Sequence, residues 1–235
     1  MKQKYYPKVK FKIDLEAEKK FILNRQRNLQ KFLPAGMAFV LRDEFIKNKD
    51  QILSAYLETY YFDQKKQLHQ SVLNTTKKWE QVSQDFFKKV DKLFSGWAWP
   101  KGNYRGYVSI ARSHPRFIKE KMFSFPMINY RPGREDIDLR ITAHEMLHFI
   151  EYDYFEKKFG LIPSECNSVD NFFWQFTENL NVLIENSDFW SHFSLGLTSE
   201  PYPDCKKLYN KMKKIWDKDQ SIDNLVMKIF QVKLG

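Results

Sequence analysis

From residue 13 to residue 94 the apolar positions recur at intervals of three, four and seven, which is helical spacing. Leu15, Ile22, Leu29, Phe32 and Leu33 mark a first helix over 13–33, stopped by Pro34 and Gly36. Phe45, Ile46, Ile52, Leu53, Tyr56, Leu57 and Tyr60 mark the inward face of a second, from Asp43 to about Phe62. The third and longest runs from about Gln64 to Phe94, with Leu68, Val72, Trp79, Val82, Phe86, Val90 and Leu93 on one face. Lys65–Lys66, Lys77–Lys78 and Lys88–Lys89 occupy the other; such doublets are read as the wet side of an amphipathic helix before they are read as a phosphate grip.

Ser95 to Asn103 breaks the pattern with Gly96, Pro100 and Gly102, so a boundary is expected there. Trp97 and Trp99 are expected to pack between the two halves. Beyond it the period drops to two. Tyr104 to Ala111 reads as a strand, and Lys121 to Phe125 as a second, closed by Pro126, with a turn-like piece at Arg112–Arg116 between them. A long helix follows Arg131-Pro132-Gly133, with Asp136 or Asp138 favouring its first turn and Gly160 and Pro163 ending it. Further helices are expected over Asn171–Glu185, after Pro203-Asp204, and over Ile222–Val232. The fold class is therefore α+β and mostly helical, with a helical N-terminal region (1–95) ahead of a second region with a small antiparallel or mixed sheet (96–235).

Composition narrows the picture. The chain has 235 residues, 43% hydrophobic and 17% aromatic, enough for a sizeable core. No apolar run approaches the ~20 residues of a membrane helix, and no apolar segment follows the basic N-terminus, so neither a membrane partner nor a secretory leader is expected. Cys166 and Cys205 form no CxxC and suit reduced thiols; the expected compartment is the cytoplasm. The net charge of +10 is uneven: residues 1–100 carry 20 basic against 11 acidic side chains, residues 151–199 only 2 against 8. An acidic stretch inside a basic protein favours a cation or a basic peptide nearby.

The chemistry is concentrated in Ile141–Ile150, which contains His144-Glu145-Met146-Leu147-His148. On a helix, residues i and i+4 share a face, so both imidazoles can reach one ion. Glu145 follows the first ligand, where its carboxylate can act on a water. This HExxH arrangement is that of a zinc hydrolase. Zinc needs a third protein ligand, and Glu178 offers it from the middle of an apolar helix, 29 residues beyond His148. Glu185, two turns further on, is the competing choice, and Glu165 is less constrained. Asn181, at i+3 from Glu178, could orient a ligand. A di-iron site would need two Glu-x-x-His copies, and only Glu145–His148 supplies one.

His144, Glu145, His148 and Glu178 resemble the metal site of zincin metallopeptidases, specifically the gluzincin branch, over roughly residues 104–186. The wider string, with His-Glu-Met-Leu-His-Phe followed by Tyr-Asp-Tyr-Phe, is similar to a group of uncharacterised bacterial proteins. There are departures: the 29-residue gap is longer than in better-known gluzincins, and Val182 stands where an acidic residue often lies four positions after the glutamate ligand. Glu151 and Tyr154 stand where a metzincin would have Gly and His. The resemblance implies one Zn2+ per chain and a peptide or protein substrate. Glu145 would be the general base that passes a proton from water to the leaving amine. Candidate donors to the oxyanion are His192, Tyr202, Tyr152 and His114. Nucleic acid is not an expected partner on this reading. The alternative is a non-catalytic, metal-stabilised binding protein whose basic helices engage nucleic acid or a protein. Retention of Glu145 favours catalysis, because a purely structural site has no use for it.

Overall fold

The computed structural model describes residues 4–24, 48–111, 114–127, 136–161, 171–190, 193 and 198–232. The expectations placed on 25–47, Arg131-Pro132-Gly133, Pro163, Glu165, Cys166 and His192 lie outside these residues. The described chain is α+β, and it groups into two compact units, each drawn from separate stretches. One comprises Pro7–Gln81 and Gly102–Thr142, the other Met1–Tyr6, Val82–Lys101 and Ala143–Gly235.

The first unit is built on a four-stranded mixed sheet of order β1-β2-β4-β3. Its strands are β1 (Val9–Lys12), β2 (Tyr104–Ser109), β3 (Arg116–Phe117) and β4 (Met122–Pro126). β1 and β4 both run parallel to β2, and β3 is antiparallel to β4. The helical reading of the N-terminal region is thus corrected at β1. Val9, Phe11 and Ile13 alternate with Lys8, Lys10 and Lys12, a period of two, and the register Val9↔Tyr104 ties the chain's beginning to its middle. That pairing draws residues 7–81 and 102–142 into one body.

Helices α1 (Leu15–Asn24), α2 (Lys49–Asp63) and the first part of α3 (Lys65–Leu93) cover this sheet. Phe21, Ile22, Leu53, Leu57, Tyr61 and Leu68 pack with Val108, Ile110, Phe125 and Met127. Ile52, expected inward, is 39% exposed, whereas Tyr61 is buried and donates its hydroxyl hydrogen to the Val108 carbonyl. Lys78 also departs from the wet-face reading. It pairs with Asp136 (2.7 Å) and with the fully buried Asp138 (3.1 Å), which also accepts from Thr75 Oγ1 at 2.5 Å. Asp138 thereby anchors the first turn of α4 (Ile137–Phe159) to α3 instead of only favouring its dipole.

The second unit holds α3 from Val82 onward, α4 from Ala143, α5 (Phe172–Glu185), α6 (Lys206–Asp219) and α7 (Ile222–Phe230). Its core is aromatic. Phe86 meets Trp99, Trp190 and Phe193, and Phe155 meets Phe173 and Phe176. Trp97 sets its ring edge-on against Tyr154 and donates its indole N–H to Asp153 at 3.0 Å. From Ala143 to Phe155 only His144 and Asp153 keep partial exposure, so α4 is a core helix. It ends at Gly160, whose φ of +66° is left-handed and whose N–H donates to the Glu156 carbonyl. Among the described residues no helix is long and apolar enough to cross a membrane.

Candidate metal centre

A core helix that buries His148, Glu145 and Glu151 and half-buries His144 needs partners for every one of them. Residues 143–155 of α4 supply His144, Glu145, His148 and Glu151. Helix α5, capped by the Asn171 side chain accepting from the Trp174 N–H, supplies Glu178, Asn181 and Glu185. Apart from His144, which keeps 22% side-chain exposure, these side chains are buried. His144 is therefore the edge at which the centre meets solvent.

The donor atoms of His144, His148 and Glu178 lie within 4.8 Å of one another and could hold a metal ion. The two Nε2 atoms are 3.2 Å apart. Glu178 places Oε2 3.4 Å from His144 Nε2 and Oε1 3.5 Å from His148 Nε2. Donors bound at 2.0–2.1 Å around a tetrahedral ion are separated by about 3.3 Å. The observed spacings fit that edge length.

Tautomers supply a second test of fit. His144 Nδ1 lies 2.6 Å from Glu185 Oε1, and His148 Nδ1 lies 2.9 Å from Glu151 Oε2. A carboxylate accepts and does not donate, so each Nδ1 carries a proton, and in the neutral rings each Nε2 presents a lone pair. Two lone pairs facing each other at 3.2 Å repel unless a cation lies between them. Burial works to lower the His144 pKa, and the charges of Glu185, Glu178 and Glu145 overcome it, holding the group well above its ordinary value. The site thus draws positive charge, whether proton or metal.

Both imidazoles are oriented by carboxylates through Nδ1, the nitrogen that points away from the other histidine and Glu178, an arrangement of the kind that fixes metal-binding histidines. Glu185, the rival ligand in the sequence, is instead the partner of His144, and its other oxygen accepts from the Ser199 hydroxyl. Glu151 does for His148 what the sequence reading assigned to no residue. Its signal was the i+3 spacing from His148, which puts both on one face. Ser199 has no sequence signal, since it reaches Glu185 from outside the helix.

Of the oxyanion-donor candidates, Tyr152 sets its buried ring edge-on to His148, centroids 6.2 Å apart. Tyr202 is 53% exposed and rests on Trp174, so the structure places it at the surface. His114 belongs to the sheet-bearing unit. Cys205 is buried as a free thiol, pushed up in pKa by burial and by the nearby charges of Glu178 and Asp204.

Comparison of the chain with family models, with curated proteins and with solved structures finds no match. Its chemistry has to be read from the side chains themselves.

Proposed function

We propose that the chain is a zinc-dependent peptide-bond hydrolase of the gluzincin kind. One observation carries the reading: a His-His-Glu donor set with metal-ligand spacing has a further buried carboxylate, Glu145, directly beside its first ligand. A structural metal site gains nothing from that fourth acid. A hydrolase needs it as a general base.

Zinc held by His144, His148 and Glu178 would supply Lewis acidity and bring the pKa of a water to about 7. Glu185 and Glu151 keep the two Nε2 lone pairs aimed at one point. Glu145 takes the proton as the water oxygen bonds to the substrate carbonyl carbon, and delivers it to the amine as the C–N bond breaks. The buried surroundings of the four carboxylates raise the strength of each electrostatic interaction. The solvent-facing edge of His144 is where an extended substrate would enter, and the acidic character of residues 151–199 favours a basic peptide.

The test compares the wild type with Glu145→Gln for zinc content and for cleavage of an unbiased peptide library by mass spectrometry. The expected result is about one zinc per chain in both and cleavage only in the wild type. Equal cleavage by both proteins would remove Glu145 as the base. A wild type that takes up no supplied zinc would remove the metal reading altogether.

A further inference from the structure

We infer that the Asn181 side-chain amide is the fourth protein ligand of the metal, so that the ion rests on His144, His148, Glu178 and Asn181. The inference builds on the metal reading above. It begins from a conflict at a single lone pair. Asn181 Nδ2 lies 3.0 Å from His148 Nε2 and 3.3 Å from the His144 carbonyl oxygen. His148 carries its proton on Nδ1, toward Glu151, so its Nε2 has one lone pair to give. An N–H and a metal cation cannot share that lone pair.

The other end of the same amide shows how the conflict is resolved. Asn181 is fully buried, and its Oδ1 has no hydrogen-bond partner among the described residues. A buried acceptor left without a donor costs about 1–3 kcal/mol. The two ends of a carboxamide have nearly the same shape, so a half-turn about Cβ–Cγ exchanges their places. After that turn Oδ1 stands about 3 Å from His148 Nε2, the separation of two donors on one tetrahedral ion. A cation repels the N–H end and attracts the carbonyl end, so metal entry favours the turn, at the cost of the 3.3 Å bond to His144.

The helix makes this placement natural. Asn181 is one turn past Glu178 on α5, so both reach the same point from the same face, as His144 and His148 do from α4. Each helix contributes an i, i+3 or i, i+4 pair. The fourth donor would be neutral and weak beside a carboxylate, so it would add no charge and would leave room on the ion for the water on which Glu145 acts.

The experiment is Co2+ titration of metal-free protein, read as visible absorbance and as affinity against a competing chelator. It compares the wild type with Asn181→Asp and Asn181→Leu, after circular dichroism has established that each is folded. Asn181→Asp keeps an oxygen at the ligand position and abolishes the N–H. The ligand role predicts Co2+ binding at least as tight as wild type for this variant. Asn181→Leu should weaken binding by more than about 100-fold, beyond the range of a residue that only supports a ligand, and should alter the visible Co2+ spectrum. Weakened binding by Asn181→Asp would overturn the inference and make the N–H end the important one, and so would unchanged binding by Asn181→Leu. If Asn181→Leu does not fold, Asn181→Asp decides alone. A wild type that binds neither Co2+ nor Zn2+ sinks the underlying metal reading instead, and is distinguishable from both.

Discussion

His144 Nδ1 and Glu185 Oε1 meet at 2.6 Å across two helices, α4 and α5, and Glu185 is held from its other oxygen by Ser199. This fixes the ring so that Nε2, not Nδ1, faces His148 and Glu178. Replacing Glu185 with Gln keeps the shape and removes the charge. Zinc affinity should fall about 10–100-fold, as it does when such supporting carboxylates are lost. Glu151→Gln, acting on His148 in the same way, should cost a similar amount. Competition with a chromogenic chelator measures both. An unchanged affinity in Glu185→Gln would mean that the His144 orientation is set by packing alone.

Metal binding should also appear as folding stability, because a site assembled from two helices does not exist in the unfolded chain. Zinc at about 100 times its Kd should raise the unfolding free energy by about 2.7 kcal/mol. EDTA should reverse the gain. Glu178→Ala, which removes the α5 carboxylate lying 3.4–3.5 Å from the Nε2 atoms of both histidines, should show little or none of it. Denaturant titration with and without zinc checks the difference, and an equal gain in Glu178→Ala would move the third ligand elsewhere.

Glu18 predicts a pH dependence in the other unit. Its carboxyl is fully buried on α1, accepting from Ser109 Oγ at 2.8 Å and from the Ile110 N–H at 3.1 Å. Burial pushes its pKa up from 4.5 to about 7, against these hydrogen bonds. The folded state therefore holds a proton that the unfolded state releases. Its contribution is fully present below pH 4.5 and declines as pH rises to about 7. The loss over that window is about 3 kcal/mol. Glu18→Gln, which keeps an acceptor for Ser109 and Ile110, should flatten this part of the stability profile. Urea midpoints between pH 4.5 and 8 read it directly.

How far the sequence could be read followed the range of each signal. His144, His148 and Glu178 are legible because their spacing is local: one helical turn, and one acid on an apolar helix. The same periodicity tells which face Glu185 occupies, but not which nitrogen of an imidazole it will meet, so ligand and supporting carboxylate look alike. Glu151 is marked only by its i+3 spacing from His148, which tells that the two share a face but not that they pair. In the fold, the helices over 49–63 and 65–93 follow their apolar spacing to within a few residues at each end, apart from Asp43 to Asn48, of which only Asn48 is described. β1 has a clear alternation yet only four residues, and its partner lies at Tyr104, so its pairing is non-local. Lys78 looked solvated because nothing near it in sequence announces Asp136 and Asp138.

Gly106 offers the sharpest test of the sheet. It lies in β2 between Phe11 of β1 and Phe123 of β4, each paired to it in register. The two phenyl rings close over it edge-to-face, with centroids 6.4 Å apart. A Cβ at this position would come 2.7 Å from Phe11 Cδ1 and 3.0 Å from Phe123 Cζ. Phe11 also sets its ring edge-on against Phe125, 5.4 Å between centroids, so it cannot swing aside without giving up that packing. Alanine is ordinarily better than glycine in a strand, since it restricts the unfolded chain more. Here the overpacking should win, and Gly106→Ala should destabilise the protein by about 1–3 kcal/mol. Combining it with Phe11→Leu, which removes the ring that closes on the glycine, should recover part of that loss. Chemical denaturation of the two single variants and the double variant gives the coupling between the sites. A Gly106→Ala protein as stable as wild type would show that the rings yield freely and that glycine is not required there.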